Sequence, residues 1–360
     1  MTLLDRYLSV RFVGMLFRTL LALVALYVLV DLLVERLQQV DKHGVAWSIV
    51  LQYYISLLPY ILVQYVAPFG ALMAGLFVFG ETAQNNEITA ALAGGISLRR
   101  FVLAPLVIGL MFSIMLFIVQ ETMGIAGYRR ANELNGKYFS GESDTKRGAV
   151  TWANLQDGWT CHILKFNRAA LTGEGVVAYS RQGGLQQLIE ANSIFWDEEK
   201  NRWVLRRGKH FVFDPETQAR TAQRITQTPA PFSETPEQLF SLDRAPEEKS
   251  LKLILADLAY ARSRGMYCAP LEVKFHTRFS QPMLSFVMIL LAVPFGMRIR
   301  RGGLAVSFGA AIAVAVIYLL LFFVSVGLGN MGRLPAFVAA WLASILFVLT
   351  GIFLLVKTPT

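Results

Sequence analysis

Glu87 opens the one loop in this chain whose residue types suggest work done on another molecule. The loop reads Gly80-Glu-Thr-Ala-Gln-Asn-Asn-Glu-Ile-Thr-Ala-Ala-Leu-Ala-Gly-Gly-Ile-Ser-Leu-Arg-Arg100. The spacing predicts a short amphipathic helix from about Asn85 to Ala93, with Ile88, Ala91 and Leu92 on one face. Gly94-Gly95 ends it, and Ser97 is placed to cap the next helix. A carboxylate at position 87 suits the positive end of that helix. Two readings stand at this point. The helix is a solvated connector, or it docks into a partner whose Arg or Lys pairs with Glu87.

Other chemistry is excluded by motif. No Gly-x-x-x-x-Gly-Lys-[Ser/Thr] occurs, so the chain binds no ATP through a P-loop. None of His43, His162, His210 and His276 begins a His-Glu-x-x-His zinc site, and no Gly-x-Ser-x-Gly elbow exists. Gly327-Leu-Gly-Asn-Met-Gly332 has dinucleotide-site spacing but no strand–helix unit around it, and reads as a turn between helices. No catalytic residue, metal or cofactor is expected. Ala305, Gly309 and Ala313 recur as small residues on one helix face, which predicts close packing within the chain or against a partner.

The elements that must position Glu87 are membrane helices. Of 360 residues, 54% are hydrophobic and 16% charged, with a mean hydropathy of +0.47. That is the composition of a polytopic membrane protein. Apolar stretches at about 12–33, 60–80, 101–119, 276–297, 304–326 and 335–356 are each long enough to span a bilayer. The first keeps Arg18 and lacks a cleavage site, so it is not expected to be a removable signal peptide. Trp47 to Tyr60 reads as an interfacial helix leading into the second span.

The net charge of +9 is a topology signal. Arg6, Arg11, Arg99, Arg100, Arg298, Arg300, Arg301 and Lys357 fall on one side of the six spans; Arg36, Lys42 and Arg333 fall on the other. The positive-inside rule puts both termini in the cytoplasm and the long central insert outside. No basic stripe with interleaved aromatics argues for nucleic acid. Cys161 and Cys268 both lie outside in this topology, where a disulfide is allowed and two buried thiols are the alternative.

The insert reads as β structure. Candidate strands are Ala149–Trp152, Thr160–Phe166, Gly175–Ser180, Leu185–Trp196, Arg202–Arg206 and Lys209–Phe213. Asp157-Gly158, Gly173-Glu174-Gly175, Gly183-Gly184, Asp197–Asn201 and Asp214-Pro215 supply the turns. In the fourth run, Ile189, Ala191, Ser193 and Phe195 are expected to share one face. The spacing suggests a sandwich or jelly-roll-like sheet. A helix over Leu251–Arg264, with Leu251, Leu255, Leu258 and Ala259 on its apolar face, should follow. The expected organisation is three spans in 1–120 with the coupling loop at 81–100, a β-rich domain in 121–270, and three more spans in 271–360.

Asn86-Glu-Ile-Thr-Ala-Ala-Leu-Ala-Gly-Gly-Ile-Ser97 resembles the coupling segment of the lipopolysaccharide-export permeases, the LptF/LptG (YjgP/YjgQ) family. Leu4-Asp-Arg-Tyr7 and Phe279-Ser-Gln-Pro-Met-Leu-Ser285 are similar to that family's opening and to the start of its fourth span. These two features tilt the resemblance to the LptG side. The three–insert–three layout extends the resemblance over the whole chain.

The resemblance implies a fold: an α-helical polytopic membrane protein of six transmembrane helices with an inserted periplasmic β-jelly-roll-like domain. It implies a role as a permease subunit of an ABC transporter in the inner membrane of a Gram-negative-type bacterium. The expected partners are a cytoplasmic ABC ATPase dimer, a paralogous permease subunit and a periplasmic jelly-roll bridge protein; the substrate is lipopolysaccharide. Glu87, with Ile88, Leu92, Gly94 and Gly95 shaping its helix, would couple to the ATPase. Arg36 and Lys42 occupy the neighbourhood implicated in contacting lipid phosphates, although Asp31, Glu35 and Asp41 dilute its basic character; snorkelling at the interface is the alternative for Arg36. Ile163, Phe166, Phe195, Trp203 and Phe211 are groove candidates, with core packing as the alternative. Rival functions are another envelope exporter, of lipoprotein or peptide, and a non-transporting envelope-assembly scaffold.

Overall fold

The computed structural model describes residues 3–139, 148–152, 155, 158–167, 170–181, 185–213, 220–243, 246–263, 267–298 and 303–357. Gly183-Gly184, Asp214-Pro215, Asp157, Arg264, Arg300 and Arg301 lie outside the described residues, as do the side chains of Arg298 and Ala305. The chain divides into two units: 1–135 with 268–360, and 136–267.

The first unit is helical. Among the described residues, six helices are long and apolar enough to cross a membrane: Leu3–His43, Trp47–Gln84, Leu98–Phe139, Ala269–Met297, Gly309–Asn330 and Ala336–Val356. They are called here the first to sixth spans. The first three are longer than their apolar cores, because polar residues continue each helix beyond the hydrophobic run. Each carries π-helical turns, at Leu32–Arg36, Leu62–Val66, Gln120–Gly124 and Asn135–Phe139.

The second and fourth spans form the buried centre. Glycine lets them approach: a Cβ on Gly75 would strike Ala292, and one on Gly296 would sit 2.9 Å from Phe79 Cβ. Leu72, Leu76, Leu284, Val287, Met288 and Tyr318 pack around this contact. Backbones that close exchange hydrophobic drive, which lipid removes, for dispersion.

Gly327-x-Gly-x-x-Gly332 is a helix end. The Arg333 N–H donates to Leu328 O at 3.0 Å and the Gly332 N–H to Gly329 O at 2.9 Å, with Gly332 at φ +72°. That is a Schellman-type stop. Gly329 has a separate task, since a Cβ there would meet Ala339 of the sixth span.

The second unit is a six-stranded antiparallel meander in the order β1 to β6: Gly148–Trp152, Trp159–Asn167, Thr172–Arg181, Leu185–Asp197, Arg202–Phe213 and Arg220–Pro229. One core holds Trp152, Cys161, Ile163, Phe166, Val176, Ala178, Ile189, Ala191, Ile194, Trp203 and Leu205. Two expected strands, Arg202–Arg206 and Lys209–Phe213, are one strand, β5. The last strand, β6, was not expected.

The alternation expected in β4 changes phase halfway. Ile189 and Ala191 are buried, but the next core residue is Ile194, while Ser193 and Phe195 are half-buried. The reason lies across the sheet. The paired registers skip one level: Leu164 in β2, Gly175 in β3, Asn192 in β4, Arg207 in β5 and Thr226 in β6. Gly175 and Arg207 have positive φ, +69° and +52°. The skipped residues form a continuous crease, and strand parity changes across it.

The helix Leu251–Ser263 follows, but its buried face is Ile254, Asp257, Leu258 and Ala261, whereas Leu255 is exposed. The helix is turned by a buried ion pair: Lys249 Nζ lies 2.8 Å from Asp257 Oδ2. With that carboxylate inside, Leu258 stays buried while Leu255 and Ala259 turn outward.

Candidate functional site

The predicted coupling helix spans Glu87–Ala93, after Asn86 in a left-handed turn (φ 59°). Gly94 is its C-cap, and Gly95 at φ +82° turns the chain away. The Ser97 side chain accepts the Arg100 N–H at 3.4 Å, as expected of a cap. Ile88 is buried and Leu92 half-buried, packed with Leu8, Phe79, Ala83, Leu98, Phe101 and Val293. These two residues therefore anchor the helix to its own chain. The outward surface is Thr89, Ala90, Ala93, Gly94 and Gly95, all exposed and uncharged.

Glu87 sits at the edge of that surface and does not stand alone. Arg11 Nη1 donates to Glu87 Oε1 at 3.0 Å and to Oε2 at 3.2 Å. Arg11 Nη2 lies 2.8 Å from Glu81 Oε2, at the end of the second span. Tyr7 OH accepts from Arg11 Nη1 at 2.7 Å and is 3.4 Å from both Glu87 oxygens. Nearer the N-terminus on the same helix, buried Asp5 accepts from Arg100 Nη2 at 2.7 Å. The first span thus holds both sides of the loop, Arg11 the entry and Asp5 the exit. Sequence reading missed Arg11 and Glu81. Arg11 was counted there only as a topology charge.

At the other end of the first span, Arg36 is 7% exposed. Its guanidinium donates to Tyr53 OH at 2.6 Å, Asn135 Oδ1 at 2.6 Å and Gln39 Oε1 at 3.0 Å. Asp31 Oδ2 lies 3.5 Å from Nε and accepts from Tyr54 OH at 2.8 Å. This group joins the first, second and third spans. It leaves Arg36 with its donors turned inward, so the residue is placed as a structural tie; Lys42, exposed in the helix's last turn, keeps its charge in the open.

A third polar group lies between the third and fourth spans. Thr277, Arg278, Ser280, Gln281 and Ser285 are buried, and Arg278 Nε is 4.0 Å from Glu121 Oε1. Pro282 lies inside this continuous helix. Ser113 Oγ accepts the Phe286 N–H at 3.1 Å, a side-chain bond that ties the third span to the fourth.

The groove candidates divide. Ile163, Phe166 and Trp203 lie in the core of the β unit and Phe211 is buried; Phe195 is half-buried, with Arg206 4.2 Å above its ring. Trp203 Nε1 donates to Glu234 O at 3.0 Å, the partner a buried indole needs. Of the small-residue stripe, Gly309 and Ala313 are exposed, and a Cβ on Gly309 would meet nothing within 4 Å. Close packing inside the chain is therefore not their role. Cys161 and Cys268 are not bridged to each other, and burial pushes the Cys161 thiol up to about 12.

The family model described as lipopolysaccharide export system permease LptF/LptG matches residues 6–357. Among curated relatives, the lipopolysaccharide export system permease protein LptG of Haemophilus influenzae is 26% identical over 96% of this chain and 96% of its own. The LptG protein of Escherichia coli K12 is 21% identical over 69% of this chain and 70% of its own. These matches agree with the expected family and with its LptG side. Six membrane-length helices, an inserted β unit and a family match running nearly from end to end give one conclusion: the chain belongs to the lipopolysaccharide export system permease LptF/LptG family.

Proposed function

We propose that this multi-pass inner-membrane protein is a permease subunit of a lipopolysaccharide exporter and couples lipid movement to ATP hydrolysis in a separate cytoplasmic ATPase dimer. The observation that carries the coupling is the helix Glu87–Ala93. It is clamped to its own chain by Ile88 and Leu92, presents a smooth face of small residues, and offers a carboxylate at the rim. Small exposed residues let another backbone approach; the carboxylate gives that approach a direction.

Energy must enter from outside the chain. Each CH₂ of an acyl chain drawn from the bilayer into water costs about 0.8 kcal/mol, and the chain has no P-loop. The exposed stripe at Gly309 and Ala313 fits a second permease subunit, since only small residues let membrane helices meet closely. Both termini are assigned to the cytoplasm and the 121–270 region to the periplasm, where it would hand lipid to a jelly-roll bridge protein. Lys42 is the exposed candidate for a lipid phosphate. A lipid would reach Ile163, Phe166 or Trp203 only through an opening of the β core.

The test reconstitutes this chain with its permease partner and ATPase in proteoliposomes. Glu87→Ala should lower lipid released per ATP severalfold; equal hydrolysis and equal release would remove the coupling role. Orientation is tested by maleimide labelling of intact cells at Cys268. Labelling there only after permeabilisation of the inner membrane would overturn the periplasmic assignment.

A further inference from the structure

The proposed function leaves one conspicuous group unexplained: a guanidinium from the first span shared between two carboxylates of the coupling region. We propose that Arg11 is the positioning residue of Glu87, fixing the direction of its carboxylate and tying it mechanically to the first span. This rests on the reading of Glu87 as the coupling carboxylate.

The geometry carries the assignment. Arg11 does not make a closed two-to-two pair with one acid. One terminal nitrogen serves both oxygens of Glu87, and the other serves Glu81. Its side chain is only 17% exposed, against 28% for Glu87 and 62% for Glu81. The base is therefore the fixed member, and the acids extend from it toward solvent. Tyr7, one turn earlier on the same helix, braces the arrangement through its hydroxyl. Asn85 Nδ2 approaches Glu87 Oε1 at 3.4 Å from the loop itself. A neighbouring ion pair joins Arg100 Nη2 to Asp5 Oδ2 at 2.7 Å.

Two consequences follow from this charge count. Among the described residues, one Arg paired with two carboxylates leaves one unit of negative charge, so Glu87 can accept a second cation while Arg11 stays anchored on Glu81. And because Arg11 belongs to the first span, displacement of Glu87 is felt there directly. Without the clamp it would reach that span only through the apolar packing against Leu8 and the covalent junctions with the second and third spans. An ion pair formed while the partner engages, with the guanidinium planar and always charged, suits a fixed pivot better than a lysine would.

The experiment uses the full permease–ATPase complex in nanodiscs, with spin labels on the first span and on the coupling helix. Arg11→Ala should leave complex assembly intact, broaden the label-to-label distance distribution, and reduce lipid released per ATP about fivefold, the scale of a partly exposed ion pair. Arg11→Lys should restore at least half of that loss, because a point charge can still hold one carboxylate. The charge exchange Arg11→Glu with Glu87→Arg should narrow the distance distribution again. A merely structural role would not give that recovery. Arg11→Ala with unchanged distances and unchanged release overturns the positioning role, while a defective Glu87→Ala in the same assay keeps the coupling reading. If Glu87→Ala is itself without effect, the coupling reading fails and the proposal with it. Should Arg11→Ala not assemble, Glu81→Gln and Arg11→Lys carry the test: an undisturbed distance distribution in both overturns the proposal.

Discussion

Arg11 and Arg36 stand on the same helix and live under opposite conditions. Arg36 is buried, surrounded by Tyr53, Asn135, Gln39 and Asp31, and its donors are used inside the chain. Arg11 is partly exposed and faces two carboxylates, one of them largely in solvent. The contrast separates a charge that holds helices together from a charge that holds a working group in place. Residue type and position near a span end do not tell them apart. The number and burial of the partners do.

The largest expected effect comes from emptying the buried site. Arg36→Met strands Asp31 among the spans and should cost about 3–5 kcal/mol, read as a much lower melting temperature in detergent. A melting temperature equal to the parent's would mean the two arginines are alike after all. Gly329→Val comes next. It forces the fifth and sixth spans apart at Ala339, costing about 1–3 kcal/mol without touching either arginine.

Tyr53→Phe removes one short hydrogen bond to Arg36 and should cost about 1.5–3 kcal/mol, the range for bonds to a charged group. Added salt sharpens the distinction. At 1 M salt the Debye length is about 3 Å, so label distances around Arg11 should broaden while the melting contribution of Arg36 holds. The smallest effect concerns the β unit. At pH 8, maleimide should modify Cys268 and leave Cys161 intact until the protein is denatured. Burial holds the Cys161 thiol protonated, its pKa near 12, so little thiolate exists in the folded state.

Much of this was legible in the sequence. Long apolar runs marked all six spans, and Gly94-Gly95 with Ser97 marked the end of one helix and the start of the next. Both signals are local. Arg11 was missed because its meaning depends on residues far along the chain, Glu81 and Glu87, which only the packed helices bring near. The setting of Arg36 shows the same limit: nothing nearby in sequence announces Tyr53 and Asn135. The β6 strand was missed because Arg220, Gln223, Arg224 and Gln227 give a polar edge strand no hydrophobic alternation. Arg206-Arg207-Gly208 imitated a turn between two strands. It is the point where one long strand crosses the crease.

That crease divides the sheet into two halves, each with its own counting of in and out. Within a half, adding or losing one residue in a strand exchanges every side chain between core and solvent up to the next break. At the crease the ladder already skips a residue, so an insertion there has an existing irregularity to join. Lineages of this domain should therefore change length at Leu164, Gly175, Asn192, Arg207 and Thr226 more readily than at any level between. Single-residue insertion scanning of β4, read by soluble yield of the folded protein, should show tolerance rising at Asn192 and falling on either side.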